Sequence, residues 1–232
     1  MSTAGPSALA AGLLAAPSSA SAAEVRIHDI QGSTRISPLA GQQVSDVPGT
    51  VTAIRAFGSS RGFWIQDTRP DKDAATSEAI FVFTGSTTPS VTVGDSVLVS
   101  GTVSEYYPGG KDAGGQSLTE LSKATWTVQS SGNALPAAYR LNPSTIPDRY
   151  TPDADGDSIE GLALRPRSYA LDRYESLEGM RVSVENAPVV GATNTYKELW
   201  VTAEPHHQRT ARGGALYSSY RDPNAGRVKV VS

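Results

Sequence analysis

The chain is predicted to be all-β: a five-stranded barrel, then a linker, then an incomplete second β unit. Three observations predict it. Among 232 residues there are 22 Gly and 15 Pro, too turn-rich for a helical bundle. The apolar residues fall in short runs that alternate with polar ones, the period of a half-buried strand. Turn residues, rather than long helical stretches, separate those runs.

Residues 1–23, MSTAGPSALAAGLLAAPSSASAA, carry no charged side chain, hold an apolar run from Ala8 to Ala16 and close with small residues around Ala20, Ser21 and Ala22. This suits a cleaved signal peptide and predicts a secreted, extracellular protein; an Ala/Ser-rich disordered tail is the other reading. The run is too short to span a bilayer, so no membrane partner is expected. Residues 24–43 follow as an N-terminal extension.

The barrel is expected over 44–130, with strands GTVTAIRAF (49–57), FWIQ (63–66), AIFVF (79–83), SVLVSGTVSEY (96–106) and SLTELS (117–122). Alternation puts Val97, Val99 and Val103 on one face. Turns are expected at GSS before Arg61 and at TVGD (92–95), and YPGGKDAGGQ (107–116) reads as a loop. Residues 131–172, rich in Pro, Asn and Asp, read as a linker with one short helix near 159–163. From 173 to 232, GMRVSVENAPVV and ELWVTAE repeat the order of strand, turn, Trp-bearing strand and acid found at 49–67, and GRVKVVS adds a strand. The space left is too small for a closed second barrel, which predicts that the chain is the N-terminal portion of something longer.

Charge narrows the partners. The formal net charge is −3, so a polyanion would be held by local patches rather than by a global field. Residues 44–130 hold 6 basic and 9 acidic side chains, whereas 205–232 hold 5 basic ones (Arg209, Arg212, Arg221, Arg227, Lys229) against Asp222 alone. The tail is therefore the expected phosphate-facing surface. With no cysteine, neither a disulfide nor a Cys-ligated zinc site is possible.

Three motifs invite chemistry and are better read as structure. Ser60, in GSSRG, matches Gly-x-Ser-x-Gly, but that nucleophile elbow needs a helix after the turn, and here a strand follows. Asp153, Asp155 and Asp157 copy the opening of a calcium loop, yet Ser158 stands where Gly is required and Leu164 where a bidentate Glu should close it; Glu160 would complete only a looser site. His206 and His207 are adjacent, so on a strand they would face opposite ways, and the sequence shows no carboxylate pair beside them. No metal, cofactor or catalytic residue is expected.

Trp64 is the informative residue. With Phe63 and Ile65 filling the barrel, Trp64 points outwards beside Arg61 and Arg55. Tyr106 and Tyr107, at the root of the Gly-rich loop with Lys111, would form a second aromatic platform. Bases stack on such rings while cations hold the phosphates, and Arg209 and Arg212 would extend the site. The competing reading has Trp64 covered by the 131–172 linker or by the second unit.

The segments IHDIQGSTRISPLAGQQV, GTVTAI, GFWIQD, TSEAIFVFTG and VGDSVLVSGTVSEY, in that order, resemble the N-terminal OB-fold-like region of large secreted bacterial nucleases of the endonuclease/exonuclease/phosphatase superfamily. LEGMRVSVENAPVVGATNTYKELWVTAE, RTARGG and RVKV resemble the segment that follows it in those proteins. The resemblance implies an OB-fold-like barrel, extracellular DNA or RNA as partner, and a C-terminal nuclease domain elsewhere in the protein. The Asn, Glu, Gly-Asp-Asn and Asp-His patterns of that catalytic domain do not occur in this sequence. A non-catalytic accessory region is thus the first reading, a structural or glycan-binding module the second, and an independent hydrolase the third.

Overall fold

The computed structural model describes Met1 and residues 24–152, 157–195 and 198–231. The secretion-signal segment and Asp153 and Asp155 of the acidic loop lie outside the described residues. The fold is mostly β. Strands β1 (Gln43–Arg55), β2 (Arg61–Gln66), β3 (Ala79–Gly85), β4 (Ser96–Tyr106) and β5 (Leu118–Ser130) follow α1 (Ile27–Gln31). They pair in the closed order β1-β2-β3-β5-β4, so β1 serves both β2 and β4. All pairs are antiparallel except β3 with β5, a seam only two residue pairs long, Phe81↔Glu120 and Val82↔Leu121.

Alternation decides what fills the interior. Val47, Val51, Phe63, Ile65, Ile80, Val82, Val97, Val99, Val103 and Leu121 are fully buried. Each contributes about 1.5–3 kcal/mol by leaving water. Phe63 meets Trp126 edge to face at 5.2 Å. The N-terminal extension does more than precede the barrel: Ile27 and Ile30 of α1 are fully buried and join this core, and Gln31 Nε2 donates to the Ala79 carbonyl at 2.6 Å. Five residues are too few to show a helical period, which is why the sequence reads as an extension.

On the outer face, Trp64 pairs across the strands with Phe81, ring centroids 4.6 Å apart. Phe81 also lies across Gly62, whose missing Cβ would collide with the end of that ring and with the Val82 carbonyl. Gly62→Val should therefore push Phe81 off Trp64 and cost about 1–3 kcal/mol by overpacking, read from the urea midpoint together with tryptophan emission.

The stretch expected as a linker is built into a second core. β6 (Tyr139–Leu141) pairs in parallel with β7 (Val182–Val184). Leu141 and Ile146 are buried with Ala170 of α2 (Ala170–Glu175), Leu177 and Ala203, flanked by Tyr139, Tyr150, Tyr174 and Met180. The helix expected near 159–163 is a turn, and the helical segment begins at Ala170. Strands β8 (Val189–Gly191), β9 (Glu198–Thr202) and β10 (Arg227–Val231) form an antiparallel sheet in the order β10-β9-β8. Among the described residues, no helix is long and apolar enough to cross a membrane.

The two cores are clamped together. Arg35, 2 % exposed, donates through Nη2 to the fully buried Asp172 of α2 and through Nη1 to the Ile159 carbonyl at 3.1 Å. Ser77 Oγ donates to the Glu178 carbonyl at 2.6 Å, and the Arg181 N–H to Gln66 Oε1 at 3.0 Å. Gly179, at φ +69°, lets the turn after α2 settle against the Trp64 ring edge and the β3 backbone at Ala79–Ile80; a Cβ there would come within 3.2 Å of Trp64 Cδ1.

Candidate nucleic-acid interface

Most of the barrel-side residues are engaged by neighbours within the fold. Trp64 lies on the outer face, as its parity requires, but is half-buried between Phe81 and the Gly179 turn. Arg61 is folded back: Nε donates to the Gly58 carbonyl at 3.0 Å and Nη1 to Thr88 Oγ1 at 2.7 Å. Arg55 stacks its guanidinium 4.7 Å from the Phe57 ring centroid. Tyr106 is exposed, whereas the Tyr107 hydroxyl donates to Glu160 Oε1 at 3.0 Å, and Lys111 Nζ stands 5.0 Å from the Tyr107 ring. Burial and this bond to a carboxylate push the Tyr107 phenol up. The groove there, about 570 Å³, is edged by Glu105 and Glu160 against one cation, Lys111. A phosphate would meet two carboxylates.

The tail is different. Between β9 and β10 the chain makes a pinned loop. Its tip turns at Thr210–Gly213, with the Thr210 N–H donating to the Gly214 carbonyl at 2.8 Å and Arg209 bridged to Ala215. Buried Asn224 holds both limbs, its Nδ2 donating to the Gln208 carbonyl at 3.1 Å. His207 Nε2 lies 2.9 Å from Asp222 Oδ1, fifteen positions on. The Ala215 N–H donates to the Val190 carbonyl at 3.1 Å, tying the loop to β8.

From this frame Arg209, Arg212 and Arg221 are exposed to solvent, Arg209 with its Nη2 donating to the Pro205 carbonyl at 2.6 Å. Tyr217 and Tyr220 are 64 % and 68 % exposed, the most open aromatic rings among the described residues. Tyr220 leans edge-on towards Tyr150 at 6.2 Å, and Arg227 sits 4.6 Å from the centroid of Trp200. Open aromatic planes interleaved with guanidinium groups on a pinned backbone can stack bases and neutralise phosphates together. The sequence reading named Arg209 and Arg212 here but missed both tyrosines. Their spacing from the arginines in YSSYRD was the available signal.

The remaining candidates read as structure. His207 has the carboxylate partner that the sequence did not reveal, and the pair closes the loop. Glu204, beneath it, is pushed up by burial, which the nearby His207 partly offsets. His28 Nδ1, Asp67 and Glu78 present ligand atoms within 4.8 Å of one another. However, Arg26 forks both Asp67 oxygens, with Nε at 2.7 Å from Oδ2. Glu78 accepts the Asp71 N–H at 2.8 Å and faces His28 at 3.2 Å. A divalent ion would have to sit against the Arg26 guanidinium, so the cluster organises the acidic loop from 67 to 78 rather than fitting a metal. If so, His28→Ala should cost about 1 kcal/mol whether or not Zn²⁺ is present; a zinc-dependent rise in Tm lost in this variant would contradict it. Ser60 lies at an exposed tight turn leading into β2, as its strand context predicts.

Residues 140–232 match the family model described as Domain of unknown function (DUF8508). The match begins within β6 and takes in the second core, the tail loop and β10. No curated protein matches the chain.

Proposed function

We propose that this chain is the non-catalytic, substrate-binding region of a secreted nuclease, that its barrel is OB-fold-like, and that it holds single-stranded or flexible nucleic acid weakly through the tail loop. One observation carries the reading: exposed Tyr217 and Tyr220 stand in a pinned loop with exposed Arg209, Arg212 and Arg221. Support for the barrel assignment comes from five strands closed as β1-β2-β3-β5-β4, a Greek-key order suited to a small OB barrel. Secretion rests on the uncharged apolar leader.

A fluorescein-labelled oligodeoxythymidylate tests this by anisotropy at low salt. Arg209→Ala/Arg212→Ala should weaken binding and flatten its salt dependence, by roughly one unit of slope per lost phosphate contact. Tyr217→Ala and Tyr220→Ala should each cost about 1–3 kcal/mol of affinity. Lys111→Ala at the barrel groove should change little. Equal loss from Lys111→Ala and the tail variants would contradict the assignment.

A second reading, a glycan-binding module, has one observation of its own. The groove edged by Glu105 and Glu160 is lined by Tyr107, and that pairing of an aromatic ring with carboxylates suits neutral sugar hydroxyls better than phosphates. Oligosaccharide binding lost in Tyr107→Ala, without binding of oligodeoxythymidylate, would favour it.

A further inference from the structure

The junction between the two cores holds more carboxyl groups than its charges can balance. Glu175, the last residue of α2, lies near Glu105 of β4, Asp172 of α2 and Arg35 of the N-terminal segment, and Glu178 of the following turn lies near Glu175 and Glu105. Arg35 is already committed to Asp172. Glu178 Oε1 accepts the Thr119 N–H of β5 at 2.9 Å, and Gln31 of α1 also bonds to this carboxyl. Glu105 Oε1 accepts the Ser37 N–H at 2.8 Å and the Thr119 hydroxyl at 3.1 Å, while its Oε2 is buried without a partner. Like charges crowded in a poorly solvated site cannot all ionise.

The same turn closes over the barrel's β2–β3 face. Glu178 donates nothing through its side chain when ionised, yet its carbonyl holds Ser77, Gly179 rests on Trp64, and the Arg181 N–H holds Gln66. Strands 2 and 3 are the face through which OB barrels hold single strands. The seam beneath, β3 with β5, is the shortest pairing in the barrel.

We propose that α2 and the turn 176–181 form a proton-operated latch, closed while Glu175 and Glu178 are protonated and loosened when they ionise, whose release uncovers Trp64 and Phe81 as a stacking face for single-stranded nucleic acid. The second half of this inference rests on the nucleic-acid reading above; the latch itself does not.

The sign follows from the carboxyls. Burial pushes Glu175 up to about 8, with Arg35 lowering it and Glu105 and Asp172 raising it, and burial pushes Glu178 well above its ordinary value. A carboxyl whose folded pKa is raised favours the closed state fully below its unfolded pKa, and the contribution is lost as pH rises through the folded value. The latch is therefore tight near pH 5 and loosens as pH rises towards 8 and beyond.

Wild-type protein labelled with 5-fluorotryptophan tests it without any ligand. The Trp64 fluorine resonance, assigned with Trp64→Phe, should shift between pH 6 and pH 9, while Glu175→Gln/Glu178→Gln should hold it at its pH 6 position throughout. The single variant Glu175→Gln should reduce the shift and serves if the double variant does not fold. A resonance that does not move, or that moves equally in the Gln variants, overturns the latch. With oligodeoxythymidylate, and with Arg209→Ala/Arg212→Ala as background to remove the tail contribution, affinity should rise at least about fivefold from pH 6 to pH 9, as expected for two coupled equilibria. That direction is opposite to the weakening expected from deprotonating histidines. A pH-dependent Trp64 signal without this gain would keep the latch and remove its link to nucleic acid. Absent tail-loop binding at pH 7 would instead reject the nucleic-acid reading.

Discussion

Asp172→Ala should lower stability by about 3–5 kcal/mol, the largest effect expected of any single charged residue here, because it strands Arg35 as an uncompensated buried cation. Both side chains are at most 2 % exposed, and Asp172 also accepts the Arg165 N–H at 2.7 Å. Since Arg35 precedes the barrel and Asp172 lies on α2, the loss should appear in both cores at once, as a single shifted urea transition. Arg35→Met/Asp172→Leu removes both charges and should recover much of the deficit, since a buried ion pair is often no better than well-packed apolar groups. Two separate transitions in the wild type, one of them untouched by Asp172→Ala, would show that the clamp does not couple the units.

Phe63→Ala should cost a similar amount, about 3–5 kcal/mol, and Trp64→Ala clearly less, although the two residues are neighbours. Phe63 is fully enclosed and touches Trp126 edge to face, so its removal leaves a cavity. Trp64 is half-buried on the outer face, and its loss exposes Phe81 and the turn at Gly179 to water rather than emptying the barrel. Thermal and urea melts of the two variants side by side decide it. An equal or larger loss for Trp64→Ala would mean that the outer face is as much a core as the inner one.

The sequence made the barrel legible where alternation runs long. β4 occupies the expected residues, 96–106, because Val97, Val99 and Val103 repeat at period two with Gly94 before them. β1 and β5 run further than expected: Gln43–Pro48 mixes exposed polar residues with buried Val44 and Val47, Lys123–Ser130 is mostly exposed apart from Ala124 and Trp126, and both ends are held by pairing with β4. The second core was hidden for another reason. Its members come from residues far apart, Tyr139 and Leu141 beside Val182 and Val184, and a three-residue strand carries no readable period. Composition alone made that stretch look like a linker.

The site was half legible. Local charge pointed to the tail, and the structure leaves Arg209 and Arg212 exposed on a pinned loop. On the barrel, residue type suggested an open platform, but Arg61 and Tyr107 are engaged by Thr88 and Glu160, residues that no spacing rule connects to them. The pairing of His207 with Asp222, and the clamp of Arg35 on Asp172 across 137 positions, are likewise tertiary facts.

The central claim is that the loop between β9 and β10, rather than the barrel face, meets nucleic acid at neutral pH. Photo-cross-linking tests it most directly. A single-stranded oligonucleotide carrying 5-iododeoxyuridine, irradiated with the protein at pH 7 and low salt and followed by peptide mapping, should place adducts on Tyr217 and Tyr220. Adducts confined to Tyr106 or Trp64, with none between 205 and 221, would contradict the account.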